Sequence, residues 1–365
     1  MTGAQIIVAA TPVFLLLIAL EFAIGLVRGR NTYRLNDTLN SVGLGVMSQV
    51  TGVFGKLLRI GVYTLAFEYV AVARLPADAW WVWLLALVYY DFCYYWLHRA
   101  GHRVAVLWAA HAVHHQSEDY NLGTALRQTS SGFLLGWLFY LPMALAGVPP
   151  LVFGVVALVD LLYQYWVHTQ QIGRLGWFDR WFCSPSNHRV HHAVNDRYLD
   201  KNYGGILIVW DRLFGSFKEE DDLQPIVYGT RAPLCSFNPL SANLQVYREL
   251  VFDSWHAGAW RDKLRVWIKP PGWRPADVAA RWPKPAFELR AAQRYDPPLG
   301  RTAGLTAAAL FTGVLGATSA FLWFAHTLSW PQQLLGATAI VALLCLIGKL
   351  TQPRAQRAPR SPIGI

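Results

Sequence analysis

The sequence predicts an all-α, polytopic helical membrane protein with a histidine-rich cytoplasmic cap. Three observations carry this. Of the 365 residues, 54% are hydrophobic and only 15% charged, where a soluble domain has about 25% charged residues. Aromatics reach 14%, with 17 Trp, the profile of spans flanked by interfacial aromatic belts. Nine of the 11 histidines fall between His98 and His192, next to apolar runs of span length.

The first run, Ile6 to Val27, has no basic residue before it and no small-residue cleavage pattern after it, so it reads as a retained anchor (residues 1–35) rather than a signal peptide. Arg28, Arg30 and Arg34 follow and place its C-terminal end in the cytoplasm. Leu39 to Val70 is apolar but broken by Gly43, Gly45, Gly52, Gly55, Lys56 and Arg59; a broken span and an interfacial helix both fit. Ala79 to Leu97 is a clean span that runs into His98, with the roughly 20 residues that a bilayer core demands. Phe133 to Val148 and Leu151 to Val167, divided by Pro149-Pro150, predict a helical hairpin that enters from the cytoplasm and returns to it, ending at His168. Residues 36–230 thus form a catalytic domain with membrane hairpins, and 231–302 a polar cytoplasmic extension. Leu305 to Leu328 and Leu334 to Leu350 form a C-terminal transmembrane hairpin, and the segment 303–365 closes with a tail carrying Arg354, Arg357 and Arg360.

The formal net charge of +10 does not imply nucleic acid. The basic residues are spread through loops, with no basic helix or block. With the N-terminus outside, all but three of the 32 Lys and Arg fall in cytoplasmic segments, the exceptions being Arg74 and the ambiguous Lys56 and Arg59. Cys93, Cys183, Cys235 and Cys345 form no CxxC pair and predict reduced structural thiols.

The histidines are ordered. His98 and His102 stand in HRAGH, His111, His114 and His115 in HAVHH, His168 follows the hairpin, and His188, His191 and His192 stand in HRVHH. On a helix, residues three and four apart share a face, so each motif can grip one site. Adjacent histidines diverge by about 100°, so each HH pair can reach two metals. A single ion takes three to six ligands, fewer than eight or nine imidazoles. Imidazole suits Zn, Cu, Fe or Ni; ligand number and lipid context favour a redox pair of irons. A zincin needs HExxH, which is absent, and a membrane haem protein places single histidines inside facing spans. His256 and His326 match no motif.

The order HxxxH, HxxHH, single His, HxxHH resembles the fatty acid hydroxylase and sterol desaturase superfamily. The stretches YYDFCYYWLHRAGH, LWAAHAVHHQSEDYNLGTALRQ, LLYQYWVHT and SPSNHRVHHAVNDRYLDKNYGGILIVWDRLFGSF resemble its alkylglycerol monooxygenase branch and bacterial relatives, over about residues 35–230. The resemblance implies a non-haem diiron centre on the cytoplasmic side that uses O2 to hydroxylate a membrane lipid. The ligands carried over are His98, His102, His111, His114, His115, His188, His191 and His192, with His168 a ninth. It also implies an external reductant, either tetrahydrobiopterin or another electron donor such as cytochrome b5 or a ferredoxin. A sterol or fatty acid desaturase with the same site is the near alternative. A histidine-based metal transporter is the non-enzyme one, disfavoured because its ligands would lie at mid-bilayer depth.

Ligating imidazoles usually give their other N–H to a carboxylate or carbonyl. The sequence offers Asp91, Glu118, Asp119, Asp196 and Asp200 for that role. Asp91, in an otherwise apolar run, is expected to face inward and be partnered.

Overall fold

The computed structural model describes residues 3–352, with the backbone alone at residues 56, 57 and 59. The basic tail therefore lies outside the described residues, as do the side chains of Lys56 and Arg59. Within them the chain is helical, and extended pairing is confined to two isolated bridges, Phe182 with Leu207 and Ala193 with Tyr228.

Helix α1 spans Gly3–Val27. It stops where polar residues begin: Gly29 takes a φ of +62°, and the Arg30 N–H reaches back 2.7 Å to the Gly25 carbonyl. That left-handed cap is one only glycine adopts without strain. The undecided stretch 39–70 is two helices, α2 (Leu35–Lys56) and α3 (Val62–Val70), joined by one widened π turn at Leu57–Gly61.

The expected span 79–97 is the first part of a longer helix, α4 (Trp80–Arg103), which also carries the first histidine motif. Val104 is extended, at φ −124° and ψ 119°, and forms a one-residue elbow into α5 (Ala105–His115). A capping box between Asn121 and Thr124 opens the short α6 (Leu122–Ala125).

The first limb of the expected hairpin differs from the sequence reading. Residues 133–148 are not one helix but two 3₁₀ turns, Gly132–Leu134 and Gly136–Tyr140, and then α7 (Leu141–Leu145). Gly132 and Gly136 weaken a helix here, and Pro142 is tolerated only in a first turn, so a regular helix can begin no earlier than Leu141. The second limb forms as expected: α8 (Pro150–Trp166) starts on the diproline.

Short helices α9 (Phe178–Trp181), α10 (Pro185–His191) and α11 (Val209–Leu213) follow. Then come α12 (Pro239–His256), α13 (Trp260–Ile268), α14 (Ala276–Arg281), α15 (Arg301–Phe324) and α16 (Trp330–Leu350).

Two apolar cores organise the bundle. In one, Leu39, Val42, Val46 and Val50 of α2 form a helical stripe against Phe311, Val314 and Phe321 of α15 and Ile340, Leu344 and Ile347 of α16. In the other, Tyr63 and Phe67 of α3 and Val82, Ala86 and Cys93 of α4 pack on Met143, Val152 and Val156 of α7 and α8.

Among the described residues, three helices are long and apolar enough to cross a membrane: α1, α15 and α16. Helix α4, read from sequence as a clean span, has 24 residues, enough for a core of roughly 30 Å. Four Trp, four Tyr and Asp91 leave it less apolar than those three.

Candidate metal centre

The site is built at the ends of helices. On α4, Asp91, Tyr95, His98 and His102 recur at helical spacing and are all buried. The elbow at Val104 folds α5 back, so that His111 and His115 meet His98 and His102. Helix α8 ends at Trp166, with Val167 alone between it and His168. Helix α10 is set by its cap: the Ser184 hydroxyl accepts the Asn187 N–H and Pro185 fills the first turn, which aims His188, His191 and His192 inward.

The nine motif histidines converge into two groups. His98, His102, His111, His115 and His191 form one; His114, His168, His188 and His192 form the other. In each group one ring nitrogen per residue lies within 4.8 Å of every other. The adjacent pairs divide between the groups, His114 from His115 and His191 from His192, as the 100° step between neighbours requires. His256 stands apart: its Nδ1 meets the Phe252 carbonyl and its ring packs on Trp282.

Hydrogen bonding fixes which nitrogen faces inward. His114 Nδ1 lies 2.8 Å from the Arg127 carbonyl and His168 Nδ1 2.8 Å from the Gln164 carbonyl. A carbonyl only accepts, so both Nδ1 atoms carry the proton and both Nε2 atoms present bare lone pairs. Those two Nε2 atoms are 3.1 Å apart. Two buried acceptors at that distance repel unless a cation lies between them. In the first group His98 Nδ1 bonds the Tyr203 carbonyl at 2.8 Å and His191 Nδ1 the Lys201 carbonyl at 3.1 Å, so their Nε2 atoms are bare as well. The Nε2 atoms of His102 and His192 are buried with no hydrogen-bond partner. Burial, with neighbouring imidazoles, holds His111, His115, His188, His191 and His192 well below the usual range, and His114 at about 4. These imidazoles are therefore neutral at physiological pH, which is the ligating form.

The spacing also speaks to geometry. Nε2 separations are 3.0 Å for His98 with His111, His111 with His115 and His168 with His188, and 3.1 Å for His115 with His191. Metal–imidazole bonds of about 2.1 Å place donors about 3.0 Å apart at right angles and about 3.4 Å apart at tetrahedral angles. The donor sets fit right-angled coordination, compatible with non-haem iron.

The five carboxylates part company. Asp200 lies against a histidine, its Oδ1 3.6 Å from His102 Nδ1, while Arg103 holds its other oxygen at 2.9 Å. Asp91 is inward and partnered, but by the backbone N–H groups of Ile206 and Leu207 and the indole of Trp210, not by a histidine. It fastens the 203–207 loop, whose Tyr203 carbonyl holds His98. Glu118 accepts the Tyr295 N–H, Asp119 pairs with Arg34 and Arg294, and Asp196 pairs with Arg231. Their expected role as imidazole partners goes instead to backbone carbonyls, which reach Nδ1 without burying a further charge.

Two residues beyond the candidate ligands and carboxylates emerge. Arg127 is buried; its guanidinium donates to the Val113 carbonyl at 2.6 Å and to Asn40 Oδ1 at 2.7 Å, while its own carbonyl holds His114. Burial pulls it down to about 10, so it stays charged at neutral pH. Its signal was a lone cation at the edge of an apolar run. Tyr203 is 1% exposed, its ring 5.3 Å from that of His102, and its hydroxyl has no partner. Apart from the site, a cleft of about 470 Å³ is lined by Tyr89, Phe92, Cys93, Trp96 and neighbours, with no histidine in its wall. All four cysteines are free.

Comparison with known proteins agrees with this chemistry. Residues 83–216 match the model of the fatty acid hydroxylase family. The chain is 39% identical over 267 residues to human alkylglycerol monooxygenase, covering 73% of this chain and 59% of that one. It is 40% identical over 267 residues to the zebrafish (Danio rerio) alkylglycerol monooxygenase, with the same coverage. An ornithine lipid hydroxylase of Rhizobium tropici is 31% identical over 135 residues, 37% of this chain and 41% of that one. The chain thus spans less than two thirds of the length of these alkylglycerol monooxygenases. No solved structure matches it. Residues 83–216, the stretch that matches the fatty acid hydroxylase family, hold all nine converging histidines.

Proposed function

We propose that this protein is an O2-dependent lipid monooxygenase that holds two iron ions, one in each histidine group, and takes electrons from an external reductant. The observation that carries the reading is the pair of facing lone pairs of His114 and His168, together with the bare Nε2 atoms of His98 and His191 in the other group: buried, neutral donors that need cations. When bound, the irons would supply O2 activation and oxidation of a lipid C–H bond.

The chain's own residues do the rest. Carbonyls of Tyr203, Arg127, Gln164 and Lys201 lock ring orientation by taking the Nδ1 protons. Burial excludes water. His111 is the one motif histidine that is not fully buried, and Trp108 packs beside it, 6.3 Å ring to ring. That edge of the five-histidine group is where substrate would approach. Apolar helices would hold the alkyl chain and basic loops the headgroup. The excess of Lys and Arg in the segments around the site supports a cytoplasmic orientation.

The relatives' name makes an alkylglycerol the first substrate to offer and a reduced pterin the first donor. Purified protein loaded with iron, supplied with O2 and tetrahydrobiopterin, is offered alkylglycerol, phospholipid and sterol, with products read by mass spectrometry. A hydroxylated or cleaved ether lipid is expected. A protein that binds two irons yet consumes no O2 with any lipid and donor would overturn the enzyme reading.

A further inference from the structure

Residues 231–302, polar in sequence, carry two helices with an unusual surface. On α12, Leu244, Val251 and Trp255 lie on one stripe at steps of seven and four, and Trp255 is 79% exposed. On α13, Trp260, Leu264 and Ile268 repeat every four residues and are 80%, 69% and 65% exposed. These are not the core-facing sides. Leu250 of α12 and Val266 of α13, each pointing the other way, already pack on Ala105 and Ala109 of α5. Each helix is therefore apolar twice, once toward the protein and once outward, and among the described residues nothing covers the outward stripe.

The hairpin is fixed at the level where apolar helices end. Leading into α12, Phe237 presses on the last turn of α16, where a Cβ at Gly348 would lie 2.3 Å from the Phe237 carbonyl. At the other end, the Lys269 carbonyl following α13 accepts the Ala105 N–H at 3.0 Å, at the elbow where α4 turns. Charge agrees: residues 239–284 hold eight Lys and Arg against four Asp and Glu. Lys263 sits between the two exposed tryptophans, its ammonium donating to the Trp255 carbonyl at 2.8 Å and lying 5.8 Å from the Trp260 ring. Tryptophans beside a lysine whose stem runs along apolar surface are the composition of an interfacial helix. A contiguous exposed patch of this kind marks a binding surface.

We propose that α12 and α13 lie in the membrane–water interface, with Val251, Trp255, Trp260, Leu264 and Ile268 sunk into the acyl boundary of an anionic bilayer. The segment is then a membrane-surface element rather than an extension into solvent. It rests against α5, so it brings the bilayer surface beside the helix that carries His111.

The test uses the full chain in liposomes of phosphatidylcholine and phosphatidylglycerol. Cys235 and Cys345, the two cysteines that are not buried, are replaced by serine. A nitroxide is attached at Leu264→Cys and, separately, at Val251→Cys, with Asp222→Cys, on an exposed loop, as the aqueous reference. Collisions with O2 and with a water-soluble nickel chelate are read by power saturation. Labels at 264 and 251 are expected to lose nickel accessibility relative to 222 and to favour O2. Labels at both positions as open to nickel as that at 222 would overturn the proposal and leave the stripe to a protein partner. Two label sites on different helices guard against one substitution disturbing the fold, and each variant is checked for monodisperse elution.

Discussion

The two histidine groups use the same ligand chemistry in opposite settings. The four-membered group is sealed: all its members are buried, and the contacts holding His114 and His168 are backbone carbonyls. The five-membered group has an open edge at His111, a carboxylate at His102 and the orphaned hydroxyl of Tyr203. A closed site of neutral donors suits a fixed ion, while an open one bordered by polar groups suits an ion that exchanges ligands. On the proposed function, the contrast would put substrate and O2 on the five-histidine side.

Removing ligands should break that contrast most severely. His114→Ala and His191→Ala are each expected to abolish turnover, and iron analysis should show metal lost from the purified protein. If either variant kept full activity, the two-site reading would fail. Next comes Arg127→Met, which strips the cation from Asn40 and Val113 and loosens the loop whose carbonyl holds His114. A buried acceptor left unpaired costs about 1–3 kcal/mol, so the thermal midpoint should fall clearly, with iron loss confined to the sealed group.

Asp200→Asn should act more gently and only on the open group. Asp200 has a φ of +58°, which Asn tolerates, so the change tests charge without strain. Outer partners of metal ligands typically contribute 10–100-fold in affinity or activity, so a drop of about that size in iron affinity is expected, with stability near wild type. Smallest is Tyr203→Phe. Deleting an unpartnered buried hydroxyl should leave the thermal midpoint unchanged or slightly higher, while turnover falls. Unchanged turnover would remove Tyr203 from the open site's chemistry.

What could be seen beforehand follows from where information resides. The histidine motifs were legible because ring spacing of three and four on a helix is written directly in the chain, and the split of each HH pair follows from the helical step. Their partners were not. Four backbone carbonyls, from Tyr203, Arg127, Gln164 and Lys201, hold the rings, and every residue owns a carbonyl. Carboxylates such as Asp91 drew attention because a charge near apolar residues stands out, yet Asp91 serves the loop that holds His98 rather than a ring. Residues 133–148 misled for a similar reason: composition marked them apolar, while Gly132, Gly136 and Pro142 set their backbone.

The elbow at Val104 carries a consequence for length. A single extended residue joins α4 to α5, so the first two histidine motifs work as the jaws of one clamp with no slack in the hinge. One residue inserted there would rotate α5 by about 100° and swing His111, His114 and His115 away from both histidine groups together. Point changes nearby can be absorbed by repacking, but the count of residues between His102 and His111 cannot drift, and that interval is a ruler built into the chain.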